Sequence, residues 1–309
     1  MKRFFAFVSI FLPFLISVHF SEVLTIFHAG SLTKPLNAVS NSFKQLHKNF
    51  EIRFESSGSL VVVRKIVELG KVPDIAFFAD YRIFNLFLYP KFADFQVRFA
   101  SNSMVLAYTE NSKYSKELKD SNWYEIILRP NVKFGYSNPD LDPCGYRALM
   151  VSKLAEKYYG KSGIFEGVRS SPNAVVLKKS VDLISYLQLG ELDYAFLYKS
   201  EAVSSDLKFL EFPPEINLGS EKFAENYRNA VVRIIGKSGK KVELKGEPIL
   251  YSFTIPKDAK NKDGAIEFLS FLISDSGRKI FEKYGFSILE IPIVDVPENL
   301  PLGLKEVLK

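Results

Sequence analysis

Cysteine is nearly absent from this 309-residue chain. Cys144 stands alone, so no disulfide can form within the chain and the core must hold the fold. Histidine is almost as scarce. His19, His28 and His47 show no Cys-His signature with Cys144, which argues against a thiol nucleophile, and they form no cluster for a free metal cation. Charge of one sign is also lacking. The 41 Lys and Arg exceed the 35 Asp and Glu by only six, with no long basic run, so nucleic acid is not indicated as a partner. No internal repeat, low-complexity tract or long linker interrupts the chain.

What is present is apolar residue, at 47%, enough to fill the cores of two ordinary domains. Residues 1–21 read as a targeting segment, with Lys2 and Arg3 followed by an apolar run from Phe4 to Val18. That run is shorter than the roughly 20 residues of a comfortable transmembrane helix and suits a secretory signal. Export follows, to the periplasm or the outer face of the membrane. Small residues do not clearly mark a cleavage site, so the segment is either removed or kept as an anchor.

After the leader, strand and helix patterns alternate. Leu24–His28 reads as a buried strand, and Leu32, Leu36, Val39, Phe43 and Leu46 make one helix face. Ile52–Glu55 and the face Leu60, Val63, Ile66, Val67 repeat the unit, and Ile75–Phe78 follows. This alternation predicts an α/β fold with largely parallel sheets. A change in element order after Phe99–Tyr108 marks a second lobe. The expected division is 22–104 with 258–309 in lobe 1 and 105–257 in lobe 2, joined by two strand crossings that can hinge. Within lobe 2, VVRIIGKSGKKVEL predicts a hairpin turning at residues 237–240.

The candidate site lies where strands run into helix starts. Asp142-Pro143 is a strong N-terminus, because Asp accepts orphan backbone N–H bonds and Pro needs none at the first helical position. Ser31, Ser59 and Ser180 end comparable turns and are expected to cap their own helices. Two such turns come from each lobe, at strand ends where α/β proteins bind ligands, so closure would bring four helix N-termini to one small volume. Tyr198, ending DYAFLY, adds a hydroxyl. The reading is capture of a tetrahedral oxyanion by N–H and O–H donors, with no Lys or Arg required. Asp142 is the awkward member. An ionised carboxylate about 4 Å from a unit charge costs on the order of 4 kcal/mol at an effective dielectric of 20, unless it shares a proton or approaches a metal centre.

The segments FHAGSL (27–32), SSGSL (56–60), NPDLDPCGYRALM (138–150) and DYAFLYKS (193–200) resemble the archaeal-type molybdate/tungstate-binding proteins of ABC transporters, the ModA/WtpA group. YSFTIPKDAKNKDGAIEFLSFL is similar to the same group's return crossing and helix, so the resemblance covers nearly all of the mature chain. It implies a type II periplasmic-binding-protein fold, with two Rossmann-like lobes on a two-strand hinge. It further implies a monomeric binder without a cofactor, not an enzyme, which delivers molybdate or tungstate to a permease and its ATPase. Carried over, the ligand residues are Gly30, Ser31, Ser59, Asp142, the backbone of Pro143 and Cys144, and Tyr198. The group also places a Glu beside the Asp, which expands coordination around the metal. Counting back from Tyr198 puts Ser180 at that place, so the expectation is four-coordinate binding with at most one carboxylate approaching. Two other readings stay open. One is a receptor for sulfate or phosphate on the same clamp, and the other is a hydrolase using Asp140 and Asp142 around a divalent cation.

Overall fold

The computed structural model describes residues 22–235 and 239–308. The leader at 1–21 and residues 237 and 238 of the expected 237–240 turn lie outside the described residues. Within residues 22–102 the order is β1 (Glu22–Ala29), α1 (Thr33–Leu46), β2 (Phe50–Ser57), α2 (Ser59–Val67), β3 (Ile75–Phe78) and β4 (Val97–Asn102). The chain then crosses into β5 (Met104–Tyr108), α3 (Trp123–Ile127), β6 (Phe134–Ser137), α4 (Pro143–Tyr159), α5 (Ile164–Ser170), β7 (Ala174–Leu177), α6 (Ser180–Gln188), β8 (Tyr194–Tyr198), α7 (Lys199–Ser204) and β9 (Lys208–Glu211). A two-stranded hairpin, β10 (Val231–Ile235) with β11 (Lys241–Lys245), precedes β12 (Ile249–Thr254) and β13 (Ser287–Val294).

Two sheets form the lobes. One has the order β13-β4-β12-β3-β1-β2 and the other β7-β6-β8-β5-β9. β3 in the first sheet and β8 in the second are buried along their whole length, as apolar runs such as IAFF and YAFLY require of strands covered on both faces. In each sheet the strand that follows the crossing from the other lobe, β12 or β5, runs antiparallel to its neighbours, and β13 at the edge of the first sheet is antiparallel to β4 as well. β12 pairs with β3 and β4, so lobe 2, expected to run to 257, ends before Ile249. Met104 correspondingly opens the second sheet, pairing with Tyr198. The return to lobe 1 lies before β12, near Gly246, whose N–H donates to Ala230 O at 2.7 Å.

In lobe 2 the site depends on how α4 seats against β6. Gly145, in the first turn of α4, faces the end of that strand so closely that an added Cβ would stand 2.0 Å from Ser137 O. Only a residue without a side chain lets this helix start reach the strand end. Gly145→Ala is expected to cost about 3 kcal/mol through overpacking. Urea unfolding followed by circular dichroism tests it, and an unchanged midpoint would contradict the close seating.

Candidate functional site

The two lobes are closed upon each other. Gly58 of lobe 1 lies against the turn before α4, where a Cβ would meet Leu141 O at 2.2 Å and Asp142 Cβ at 3.1 Å. Gly30 meets Val181 of α6, and Lys34 Nζ reaches across to Ser204 O at 2.5 Å and Ser205 Oγ at 3.0 Å. Gly30, Ser31, Ser56, Lys179, Val181 and Glu201 share a cleft of about 460 Å³ between the lobes.

Asp142 caps α4 as expected, its Oδ1 accepting from the Cys144 N–H at 3.1 Å with Pro143 in the first turn. Its Oδ2 accepts from the Ser180 N–H at 2.8 Å, so one carboxylate holds the starts of α4 and α6. The serines do not cap their helices. Ser59 and Ser180 occupy the first helical positions after Gly58 and Lys179, and Ser31 lies within the short 3₁₀ turn Gly30–Leu32. From there each hydroxyl is free to bind elsewhere. Ser31 Oγ meets Tyr251 OH at 2.9 Å, Ser59 Oγ accepts from the Ala79 N–H at 3.0 Å, and Ser180 Oγ donates to Glu201 Oε1 at 2.5 Å. All three serines are buried. Cys144 is buried with its Sγ 3.7 Å from Phe196 O, and burial pushes its thiol well above the ordinary range, so it is no nucleophile at neutral pH.

Glu201, which the sequence reading did not name, is a second buried acid at the cleft beside Asp142. It lies three residues beyond Tyr198 in the first turn of α7, and its Oε2 accepts from the Tyr198 N–H at 3.1 Å. Ser180 carries no acid, and Glu201 comes after β8 and is bonded to the Ser180 hydroxyl. The signal in the sequence is a capping pattern, with Tyr198 ending the strand and Glu three residues on, disguised because Tyr replaces the usual Ser or Thr.

Both acids are held by protein donors and shielded from water. Burial raises the Asp142 carboxyl above its usual value against the opposing pull of its backbone hydrogen bonds. Burial pushes Glu201 up to about 8, and the neighbouring Asp142 charge adds to the effect. Burial in the closed cleft therefore favours the protonated form of Glu201.

Arg147, also unforeseen, reaches the site from α4 and is 1% exposed. Its Nη1 donates to Tyr198 OH at 2.7 Å and to Ala79 O at 2.6 Å. Nη2 stands 3.4 Å from Asp80 Oδ2, and Asp80 also accepts from Tyr146 OH at 2.5 Å and from Arg82 Nη2 at 2.6 Å. The Arg82 and Arg147 charges hold Asp80 ionised, well below the usual carboxylate range, although burial alone would push it up. Asp140 and Asp142 do not converge as a chelate. Asp140 Oδ1 accepts from the Ile235 N–H at 2.7 Å, on the hairpin side of the loop.

This is the geometry of a two-lobed clamp with a polar interlobe cleft, and the comparisons define its class. Residues 24–287 match the family described as bacterial extracellular solute-binding protein. An uncharacterized solute-binding protein of Petrotoga mobilis is 38% identical over 99% of this chain and 96% of its own. The molybdate/tungstate-binding protein WtpA of Pyrococcus abyssi is 39% identical over 92% of this chain and 90% of its own. Among solved structures, the periplasmic molybdate-binding protein of Azotobacter vinelandii has a similar fold, with a TM-score of 0.64 at 17% identity, covering 86% of this chain and all of that one. The sulfate-binding protein SubI of Mycobacterium tuberculosis has a TM-score of 0.62 at 12% identity, covering 87% of each chain. The chain belongs to the bacterial extracellular solute-binding family. Among the described residues no helix is long and apolar enough to cross a membrane.

Two outcomes follow from this geometry. Gly58 has extended backbone at φ −63° and ψ 145°, which any residue adopts, yet its Cβ would strike lobe 2 only when the lobes are shut. Gly58→Ala should leave thermal stability of the unliganded protein nearly unchanged while small-angle scattering shows a more open molecule. A scattering profile identical to wild type would contradict it.

The second outcome concerns pH. A carboxyl raised from 4.5 to about 8 binds more protons folded than unfolded, so its contribution is intact below the lower value and lost as pH rises toward the upper one. Stability of the unliganded protein should fall from pH 5 to pH 9, and Glu201→Gln should flatten that fall. Parallel pH profiles for the two proteins would show that Glu201 titrates normally.

Proposed function

We propose that the cleft captures molybdate or tungstate outside the cytoplasm and delivers it to an ABC importer. The observation that carries this reading is the pair of buried acids, Asp142 and Glu201, both hydrogen-bonded to Ser180 among the helix starts. A carboxylate is only an acceptor, and beside a small dianion such as sulfate it would repel unless protonated. A larger oxyanion with an accessible metal centre can take carboxylate oxygens onto the metal. Its own oxygens are left for donors around Gly30, Ser31 and Ser59 and for the hydroxyl of Tyr198, while Pro143 and Cys144 shape the helix start whose free amide Asp142 takes. Ser180 then acts through the acids it bridges. With two acids present, coordination beyond four oxygens replaces the four-coordinate expectation.

The identity of the WtpA relatives over most of their length supports the ligand class. The membership of an extracellular family supports export, for which residues 1–21 would serve, and the partners are the permease and ATPase with which such receptors work.

Calorimetric titration with tungstate, molybdate and sulfate tests the reading. Tight binding of the first two and silence toward sulfate are expected, with X-ray absorption of the tungstate complex showing more than four oxygen neighbours and Glu201→Ala losing at least one. Sulfate binding as tightly as tungstate would overturn the assignment, and four neighbours in the wild type would overturn the role given to the acids.

A further inference from the structure

The hydrogen-bond polarity of the Tyr198 phenol is dictated by a fixed neighbour. The guanidinium of Arg147 has donors only and stays charged at any physiological pH, so the 2.7 Å bond from Nη1 must end on the Tyr198 oxygen as acceptor. The hydroxyl hydrogen is then left to point elsewhere, and among the described residues no protein acceptor receives it. The ring stands edge-on to Tyr251 at 5.8 Å between centroids, and the Tyr251 hydroxyl meets Ser31 Oγ in the cleft. The free O–H of Tyr198 is thus unspent within the buried cluster that links Arg147 and Tyr251 to Ser31 at the cleft.

Arg147 itself is held from the opposite lobe. The carbonyl of Ala79 and the carboxylate of Asp80 follow β3 in lobe 1, and both take the same guanidinium that α4 carries in lobe 2. Asp80 is kept in place by Arg82, with Nε and Nη2 both within hydrogen-bond distance of its carboxylate, at 3.0–3.1 Å and 2.6 Å. The Ser59 hydroxyl meets the Ala79 peptide from its other side, accepting the N–H whose carbonyl partner faces Arg147. Thus Ser59, Ala79, Arg147 and Tyr198 form one hydrogen-bonded chain across the lobe seam, and the guanidinium reaches all its partners only when the lobes are together.

Building on the proposed oxyanion site, we infer that Arg147 is a positioning residue: on closure, anchored by Ala79 O and Asp80, it fixes the Tyr198 hydroxyl as a donor aimed at a ligand oxygen. A guanidinium behind the phenol makes that donor stronger than an isolated tyrosine. The arrangement selects a ligand oxygen that accepts, so a fully deprotonated oxyanion is preferred to one presenting an O–H at that point. Arg147 does this without touching the ligand. A lysine cannot replace it, because one ammonium does not offer the planar fork that meets Ala79, Asp80 and Tyr198 together.

The test is a double-mutant cycle read by tungstate calorimetry on the wild type, Arg147→Lys, Tyr198→Phe and the combined variant. Each single change is expected to weaken binding about tenfold or more, and the combined variant to be within about threefold of the weaker single one, since both remove the same donor. A combined loss equal to the product of the single losses overturns the inference, because Arg147 would then act independently of the hydroxyl. If Arg147→Lys fails to fold, a crystal structure of the wild-type tungstate complex decides. Tyr198 Oη within about 3.2 Å of both Arg147 Nη1 and a ligand oxygen supports the inference, and Oη more than about 4 Å from every ligand oxygen overturns it. Failure of the wild type to bind tungstate or molybdate overturns the proposed function and this inference with it. Wild-type binding with multiplicative losses overturns the inference alone.

Discussion

One carboxylate holds the starts of two helices. Asp142 accepts from Cys144 in α4 through one oxygen and from Ser180 in α6 through the other, and both bonds are out of water. The elements they join begin 37 residues apart, at Pro143 and Ser180, and leave neighbouring parallel strands, β6 and β7. Without the shared acceptor, two buried amide ends would each need a partner or pay the cost of an unmade hydrogen bond. With it, the Ser180 hydroxyl is brought onto Glu201, and Glu201 in turn receives the Tyr198 amide. Asp142 thus fixes three helix starts of lobe 2, those of α4, α6 and α7, relative to each other before any ligand arrives.

That rigidity has an electrostatic consequence. Helix starts favour anions, yet this cluster places two acids among them, and burial penalises their charged forms. The conflict is resolved by protons: burial favours the protonated form of Glu201, while Asp142 is raised but opposed by the two backbone N–H groups it accepts. Acids in such a state are poised between two uses. Protonated, they donate to an oxyanion; deprotonated, they offer oxygens to a metal centre. Ser180, at the position where the resembled group carries a Glu, links the two acids, its N–H donating to Asp142 and its hydroxyl to Glu201.

Much of the fold could be read from local patterns, and the failures have physical causes. Buried strands such as Ile75–Phe78 and Tyr194–Tyr198 announce themselves as short apolar runs, and Asp142-Pro143 states a helix start without ambiguity. The serines misled because a hydroxyl before an apolar helical pattern suits either the cap or the first turn, and sequence spacing separates the two by only one residue. β12 was assigned to the wrong lobe because strand pairing across long separations leaves no local trace. Arg147 was visible within DPCGYR, but helix periodicity cannot tell a surface arginine from one buried against the other lobe. Its partners, Ala79 and Asp80, lie almost seventy residues upstream, 68 in the case of the carbonyl.

The closed seam also arranges charge. Arg147 comes from lobe 2, while Asp80 and Arg82 come from lobe 1, and all three are largely withdrawn from water. Two guanidinium charges face one carboxylate at this seam, and Lys34 and Lys179 add their ammonium groups to the lining of the cleft. In the open state Arg147 would face solvent, where its field is screened. Closure therefore does more than enclose volume. It assembles the positive charge, the aligned amides and the directed hydroxyl in the same movement that excludes water, so an anion in the cleft meets its full set of partners only when the lobes shut.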